Sequence, residues 1–234
     1  MIIDIKPGTF GGPMRNGDMV ALLNLFEHLR RQNPEQELTF YMMPGTINEA
    51  DYCVKFFEFL KEATDYFADE PSGNILPWNK INLWDYRDIS GDLITIPNAM
   101  PVQPKIVVFP VFDAPYNTYR NWSPTLLQKI IDDNQDESFE RIICAKELPP
   151  GIELKGFKLS TDFMDNIHHI MDCHSFFGGE TGTSIFASVL DRPPPNLMYF
   201  YSSRALLHTT PFHLLSGKGK MLTYWMDFEG TTWG

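Results

Sequence analysis

Ser175-Phe-Phe-Gly-Gly-Glu-Thr-Gly-Thr-Ser-Ile-Phe-Ala-Ser-Val-Leu190 is the stretch that decides the fold. A short apolar run reaches Phe177, the chain bends through Gly178 and Gly179, and a helical pattern starts near Thr183. A strand feeding a helix through glycines aims unpaired backbone N–H groups at one point. The positive end of the helix dipole reinforces them there, which suits a phosphate or a carboxylate. Gly182 allows close approach to the backbone, and the hydroxyls of Thr181, Thr183 and Ser184 add donors. The plainer alternative is a strand–turn–helix joint whose glycines serve only packing.

The same alternation extends in both directions. Upstream, Lys105 to Phe109 carries Ile-Val-Val at its centre and reads as a buried parallel strand. Ser123-Pro124 is an N-cap followed by proline at the first helical position, with Leu126, Leu127, Ile130 and Ile131 on the inner face. Arg141 to Ala145 predicts a strand. Ser160-Thr-Asp162 caps a helix whose stripe is Phe163, Met164, Ile167, Ile170 and Met171. Downstream, Leu197 to Tyr201 is the last clear strand, and Ser216 to Lys220 reads as flexible.

The first hundred residues repeat the scheme. A strand at Ile2–Ile5 leads into the Gly-rich bend Pro7 to Asp18. Met19, Leu22, Leu23, Phe26 and Leu29 then recur at helical spacing until Asn33-Pro34. A strand at Leu38–Met42 is followed by a helix from about Glu49 to Phe67. Short strands are expected at Ile81–Trp84 and Leu93–Ile96. Residues 97–104 hold three prolines and no periodicity, and form the best linker. The expected architecture is α/β, with two Rossmann-like halves, 1–100 and 101–234, meeting near the linker. The loops after Ile5 and Phe177 should face each other across a cleft.

Composition narrows the function. Of 234 residues, 43% are apolar, and 19 basic residues oppose 30 acidic ones for a net charge of −11. That surface disfavours nucleic acid, whose phosphates need a basic footprint. The odd number of cysteines, Cys53, Cys144 and Cys173, all within apolar-periodic segments, suits buried thiols rather than disulfides or a metal site. No run approaches the ~18 consecutive apolar residues of a membrane span. The start lacks a signal-peptide pattern, so the expected location is cytoplasmic. Adjacent His168 and His169 point to different sides of their helix and cannot chelate one metal together. His174 is expected at the end of that helix, where a cation suits the dipole. His208 and His213 are candidates for lining a cleft.

Taken together, the residues resemble the GT-B glycosyltransferases, closest to the heptosyltransferase-like family 9. Three regions carry the resemblance: the bend ending Gly17-Asp18 and running into a helix; the Ile106–Pro110 strand followed by Arg120-Asn-Trp-Ser-Pro124; and the Gly178-Gly-Glu-Thr-Gly182 turn. The resemblance implies inverting, metal-independent sugar transfer from a nucleotide-sugar donor to an unknown hydroxyl acceptor, with no cofactor. Asp18 matches the general base, and chemically a sugar hydroxyl needs such a group to become nucleophilic. The alternative role for Asp18 is to cap the first helix. Arg120 matches the cation that steadies the departing diphosphate. Gly179, Glu180, Thr181, Gly182, Thr183 and Ser184 match the donor turn, and Gly11, Gly12, Arg15 and Asn16 the acceptor-side loop. Trp122 is expected to pack under its loop. The chain departs from the family in having Glu180 for Asp and Ile185 for His.

A chain this short would leave sheet faces bare, so a homo-oligomer is one expected way to cover them. Two other readings stay open: an epimerase or hydrolase of related fold acting on the sugar nucleotide, and a binding protein that keeps the fold without transfer.

Overall fold

The computed structural model describes residues 1–75, 83, 95–112, 120–179, 181–201, 220–223, 226–227 and 230–231. Of the expected strands at 81–84 and 93–96, all but residues 83, 95 and 96 lie outside them, as do His208, His213 and residues 216–219. The chain divides into two compact units, Met1–Pro97 and Asn98–Gly234.

Unit 1 begins with β1 (Ile2–Ile5), α1 (Asn16–Gln32), β2 (Thr39–Met42) and α2 (Asp51–Ala63). β1 and β2 are parallel, pairing Ile3 with Phe40 and Ile5 with Met42. Single parallel bridges widen this ladder, Phe40 to Phe67 beyond β2 and Asp4 to Ile75 beyond β1. The spatial order is therefore Phe67, β2, β1, Ile75, which matches the 3-2-1-4 arrangement of a doubly wound half. α1 is buried without a break from Met19 to Phe26, and Phe26 stacks on Phe40 with ring centroids 3.6 Å apart. The Arg30 guanidinium ties the end of α1 to the strands: Nε donates to the Leu38 carbonyl and the other nitrogens to Asp65, with the plane 4.2 Å over the Tyr66 ring.

α2 is shorter than the apolar pattern predicts. It stops at Ala63, where Thr64 turns extended. Phe67 continues the apolar spacing but serves the sheet, because Phe40 N–H donates to Tyr66 O and Ala68 N–H to Phe40 O. Strand pairing wins over helix propagation there. Asp4, buried mid-strand, accepts from the N–H groups of Ser72 and Gly73 and so pins the loop before Ile75.

Unit 2 is the larger. Its elements are β3 (Gln103–Phe109), α3 (Pro124–Asp133), β4 (Glu140–Cys144), β5 (Lys158–Ser160), α4 (Phe163–Asp172), β6 (Cys173–Gly178), α5 (Gly182–Val189), β7 (Asn196–Tyr201) and β8 (Lys220–Thr223). β9 (Met226–Asp227) and β10 (Gly230–Thr231) form a separate two-stranded antiparallel pair. The main sheet runs β5-β4-β3-β6-β7-β8, parallel throughout. Numbered from the start of the unit, that is the 3-2-1-4-5-6 order of a Rossmann sheet. Tyr201 does not end the sheet, as the sequence pattern suggested: β8 adds an edge strand at Lys220.

Local chemistry explains the boundaries. Ser123 Oγ accepts from Leu126 N–H, with Pro124 at the first helical position. Asp162 caps α4 by accepting from Met164 and Asp165 N–H groups. Ile106, Val107 and Val108 are buried on both sheet faces, as a central parallel strand requires. Ile106, Val108, Leu126, Ile130, Ile143 and Phe177 belong to one core cluster that joins β3, α3, β4 and β6.

The Pro-rich segment is not a loose linker over its whole length, and β3 already begins at Gln103. Asn98, only 2% exposed, donates its backbone N–H to Asp191 and its amide to the carbonyls of Met171 and Arg192. In return Arg192 Nε donates to Asn98 O. His174 is likewise corrected: α4 ends at Asp172, and His174 sits in β6, its Nδ1 3.0 Å from Ser175 Oγ. The three cysteines are buried free thiols, and burial pushes each of them above the ordinary thiol range.

Candidate functional site

In a 3-2-1-4-5-6 sheet the chain leaves the first strand for one side and the fourth for the other. The crevice between them, at the carboxyl ends, is where such folds bind ligands. Here those strands are β3 and β6, paired from Ile106–Ser175 to Phe109–Gly178. The Gly-rich turn leaves β6 at this place, and the loop to Arg120 and Trp122 leaves β3 beside it. Gly179 N–H reaches Phe109 O at 3.4 Å, and Trp122 N–H donates to Val111 O at 2.6 Å, so both loops start under mutual restraint.

The two glycines are needed for close approach. A Cβ on Gly178 would lie 2.4 Å from both Ser184 Oγ and the Phe176 ring. One on Gly179 would lie 2.6 Å from Val111 and 2.7 Å from Trp122 Nε1. The protein itself fills that space, so at Gly178 and Gly179 the packing role is the one observed. Trp122 does pack under its loop, 5.0 Å from the Phe200 ring.

Beyond the glycines, Thr181 caps α5. Its Oγ1 accepts from Ser184 N–H at 3.3 Å, and its carbonyl accepts from Ile185 N–H at 3.2 Å. Its hydroxyl also meets Thr183 Oγ1 at 2.7 Å and Ser184 Oγ at 3.3 Å. Thr183 and Ser184 are buried, so their hydroxyls brace the turn and do not face solvent. The first N–H groups of a helix have no partner within it. Thr181 supplies acceptors for two of them, the N–H groups of Ser184 and Ile185. Glu180 lies outside the described residues. Arg120 stands in a helical turn at the head of the Trp122 loop, partly exposed.

In unit 1 the bend after β1 is held by the segment after β2. Met14 N–H donates to Thr46 O, and Asn48 N–H to Met14 O. Gly11 has φ +86°, the left-handed region that favours glycine, and the space where a Cβ would stand is open to 4 Å. α1 starts at Asn16 with Arg15 at the N-cap. Asp18 is therefore not the N-cap residue itself but the third residue of the first turn, and it caps the helix start from there: its Oδ2 accepts from the N-cap Arg15 N–H at 3.0 Å. Burial pushes the Asp18 carboxyl above its ordinary value, while the Arg15 N–H and guanidinium pull it down. Asn16 is buried beside it, and Arg15 and Gly11 are exposed. Asp18, Arg15 and Asn16 therefore share one helix start, while Gly11 and Gly12 lie in the bend that leads to it.

Among the described residues, no three His, Cys, Asp or Glu side chains come together as a metal site needs. No described helix is long and apolar enough to cross a membrane. No family model matches the chain, and no curated protein matches it. A solved structure similar to it is the E. coli heptosyltransferase WaaC with ADP, at 9% identity over 86% of each chain and a TM-score of 0.41. A similarity this slight leaves function to the geometry of the chain itself.

Proposed function

We propose that the protein is a glycosyltransferase that moves a sugar from a nucleotide-sugar donor to a hydroxyl acceptor, with inversion and without a metal. The observation that supports this reading is the close approach of Gly179 to Trp122 and Val111 just beyond the paired ends of β3 and β6, in a six-stranded parallel sheet of Rossmann order. In this reading unit 2 takes the donor. The N–H groups of Gly182 and Thr183, at the positive end of α5, hold the diphosphate. Arg120 adds a guanidinium that counters the charge growing on the leaving group.

Unit 1 supplies the base. With Oδ2 engaged by the Arg15 N–H, Asp18 would take the acceptor proton on Oδ1 as the hydroxyl oxygen attacks the anomeric carbon. The glycosidic bond to the diphosphate breaks on the opposite face, which inverts the centre. A carboxylate made more basic by partial burial is better suited to that step than an ordinary Asp.

The direct test is a thermal-shift series with nucleoside diphosphates and their sugars, followed by turnover with and without candidate hydroxyl acceptors. A bound nucleotide at ~100 times its dissociation constant should add ~2.7 kcal/mol of stability. Release of free sugar without an acceptor would favour hydrolysis or epimerisation. Binding without turnover, or no binding by any nucleotide, would overturn transfer and favour a binding or interaction protein that keeps the fold.

A further inference from the structure

At the amino ends of the same central strands, away from the Gly-rich turn, lies a separate cluster of ionisable groups. Lys105 on β3 is buried, and its Nζ lies 2.6 Å from both carboxylate oxygens of Asp172. The same Nζ is 3.3 Å from His169 Nδ1. An ammonium has only donors, so this contact requires Nδ1 to be an acceptor and places the ring proton on Nε2. Asp172 is the last residue of α4 and the next residue, Cys173, opens β6. The three side chains therefore fasten the helix–strand junction to the central strand.

We propose that His169 makes this fastening a proton-operated clasp, closed while the ring is neutral and opened when Nδ1 takes a proton from solvent. Protonation turns the acceptor into a donor facing another donor, and sets a second cation 3.3 Å from the Lys105 ammonium. Lys105 and the imidazolium then compete for one carboxylate. The charged groups around the ring oppose one another. Burial first, and then Lys105 on β3, disfavour its protonation; Asp172 and Asp165 on α4 and Glu140 on β4 favour it. The net effect holds the imidazole below its ordinary titration range. α5, which also packs on α4, carries no charged residue.

The sign follows from linkage. The unfolded chain takes its proton near pH 6.5 and the folded ring only at lower pH. The stabilisation is therefore complete above about pH 6.5 and is lost as pH falls toward the folded titration point. Because β6 runs without a break from Cys173 to Gly178, acid would loosen the base of the strand that carries the Gly-rich turn.

Amide hydrogen exchange on the intact chain tests this at pH 7.5 and 5.5, corrected for intrinsic rates, in wild type and in His169→Gln. Gln keeps a side-chain acceptor but does not titrate. Wild type should lose protection at 170–175 on acidification, by up to about tenfold, because pH 5.5 lies about one unit below the unfolded titration point. His169→Gln should not. Equal losses in both proteins would overturn the proposal. If the variant does not fold, nitrogen NMR of wild-type His169 decides: a proton on Nε2 and titration below 6.5 support the clasp, and a proton on Nδ1 or titration at 6.5 or above overturns it.

Discussion

Gly179 and Trp122 lie so close that a single carbon added to the glycine would stand 2.7 Å from the indole Nε1. Two loops from neighbouring strands thereby share one contact. Gly179→Ala must push Trp122 or Val111 aside and should cost about 1–3 kcal/mol of unfolding free energy in a denaturant titration. Trp122→Phe opens space at the same point, so the double variant should lose clearly less than the sum of the two singles. Strict additivity would mean that the glycine is not needed for this approach.

Arg120→Ala should weaken nucleoside diphosphate binding by roughly 1.5–3 kcal/mol in calorimetry, the range of a charge-assisted contact. Stability without ligand is measured beside it, because the Arg120 Nε atom is buried and truncation also removes packing. Unchanged affinity would remove Arg120 from the donor site.

Asp18 separates two roles by pH. Its folded titration point is raised above 3.8, so the folded state keeps the proton longer than the unfolded chain does. The stabilisation this gives is present in acid and is lost as pH rises through the folded value. Relative to Asp18→Asn, wild type should therefore lose stability between pH 4 and pH 7 in parallel denaturant titrations. Transfer by the Asn variant should be ~100-fold slower or worse if the carboxylate is the base. Wild-type rates in that variant would leave Asp18 as a helix-start residue alone.

Asn98→Ala removes the donor that serves the Met171 and Arg192 carbonyls in a buried place. Leaving buried acceptors unserved should cost about 1–3 kcal/mol each, read as a lower denaturation midpoint. Asn98→Asp should be no better, since it brings a carboxylate against two carbonyls and toward Asp191.

Much of unit 2 is legible because its signals are local. The Ser123-Pro124 cap and Asp162 act on neighbours within a few residues, Ile106–Val108 carry a β-branched run within the segment itself, and each falls where sequence reading expects it. β5 and β8 escaped because three- and four-residue edge strands are too short to show a period, and their partners are supplied by tertiary pairing. The end of α2 departs from the apolar pattern for a related reason: Phe67 keeps helical spacing while the backbone on either side of it, at Tyr66 and Ala68, bonds to Phe40. At the site, a strand–glycine–helix joint is visible in the letters. The occupation of its glycines by Val111, Trp122 and Ser184 is not, because those contacts join distant segments. Asn98 carries no signal beyond its place in a proline-rich stretch, since an amide's worth depends on carbonyls supplied from Met171 and Arg192.

The sheet order also has a consequence for synthesis. β3, β4 and β5 are made in succession and can pair as they emerge, but the other side of β3 must wait for β6, with Val107 matched to Phe176. Until then the Ile106-Val107-Val108 edge is open, apolar and able to pair with another nascent chain. Distant pairing of this kind is slow. A nascent chain whose emerged part ends between Ser160 and Cys173 would therefore present the stickiest form of this protein, and chaperone dependence should concentrate in that window.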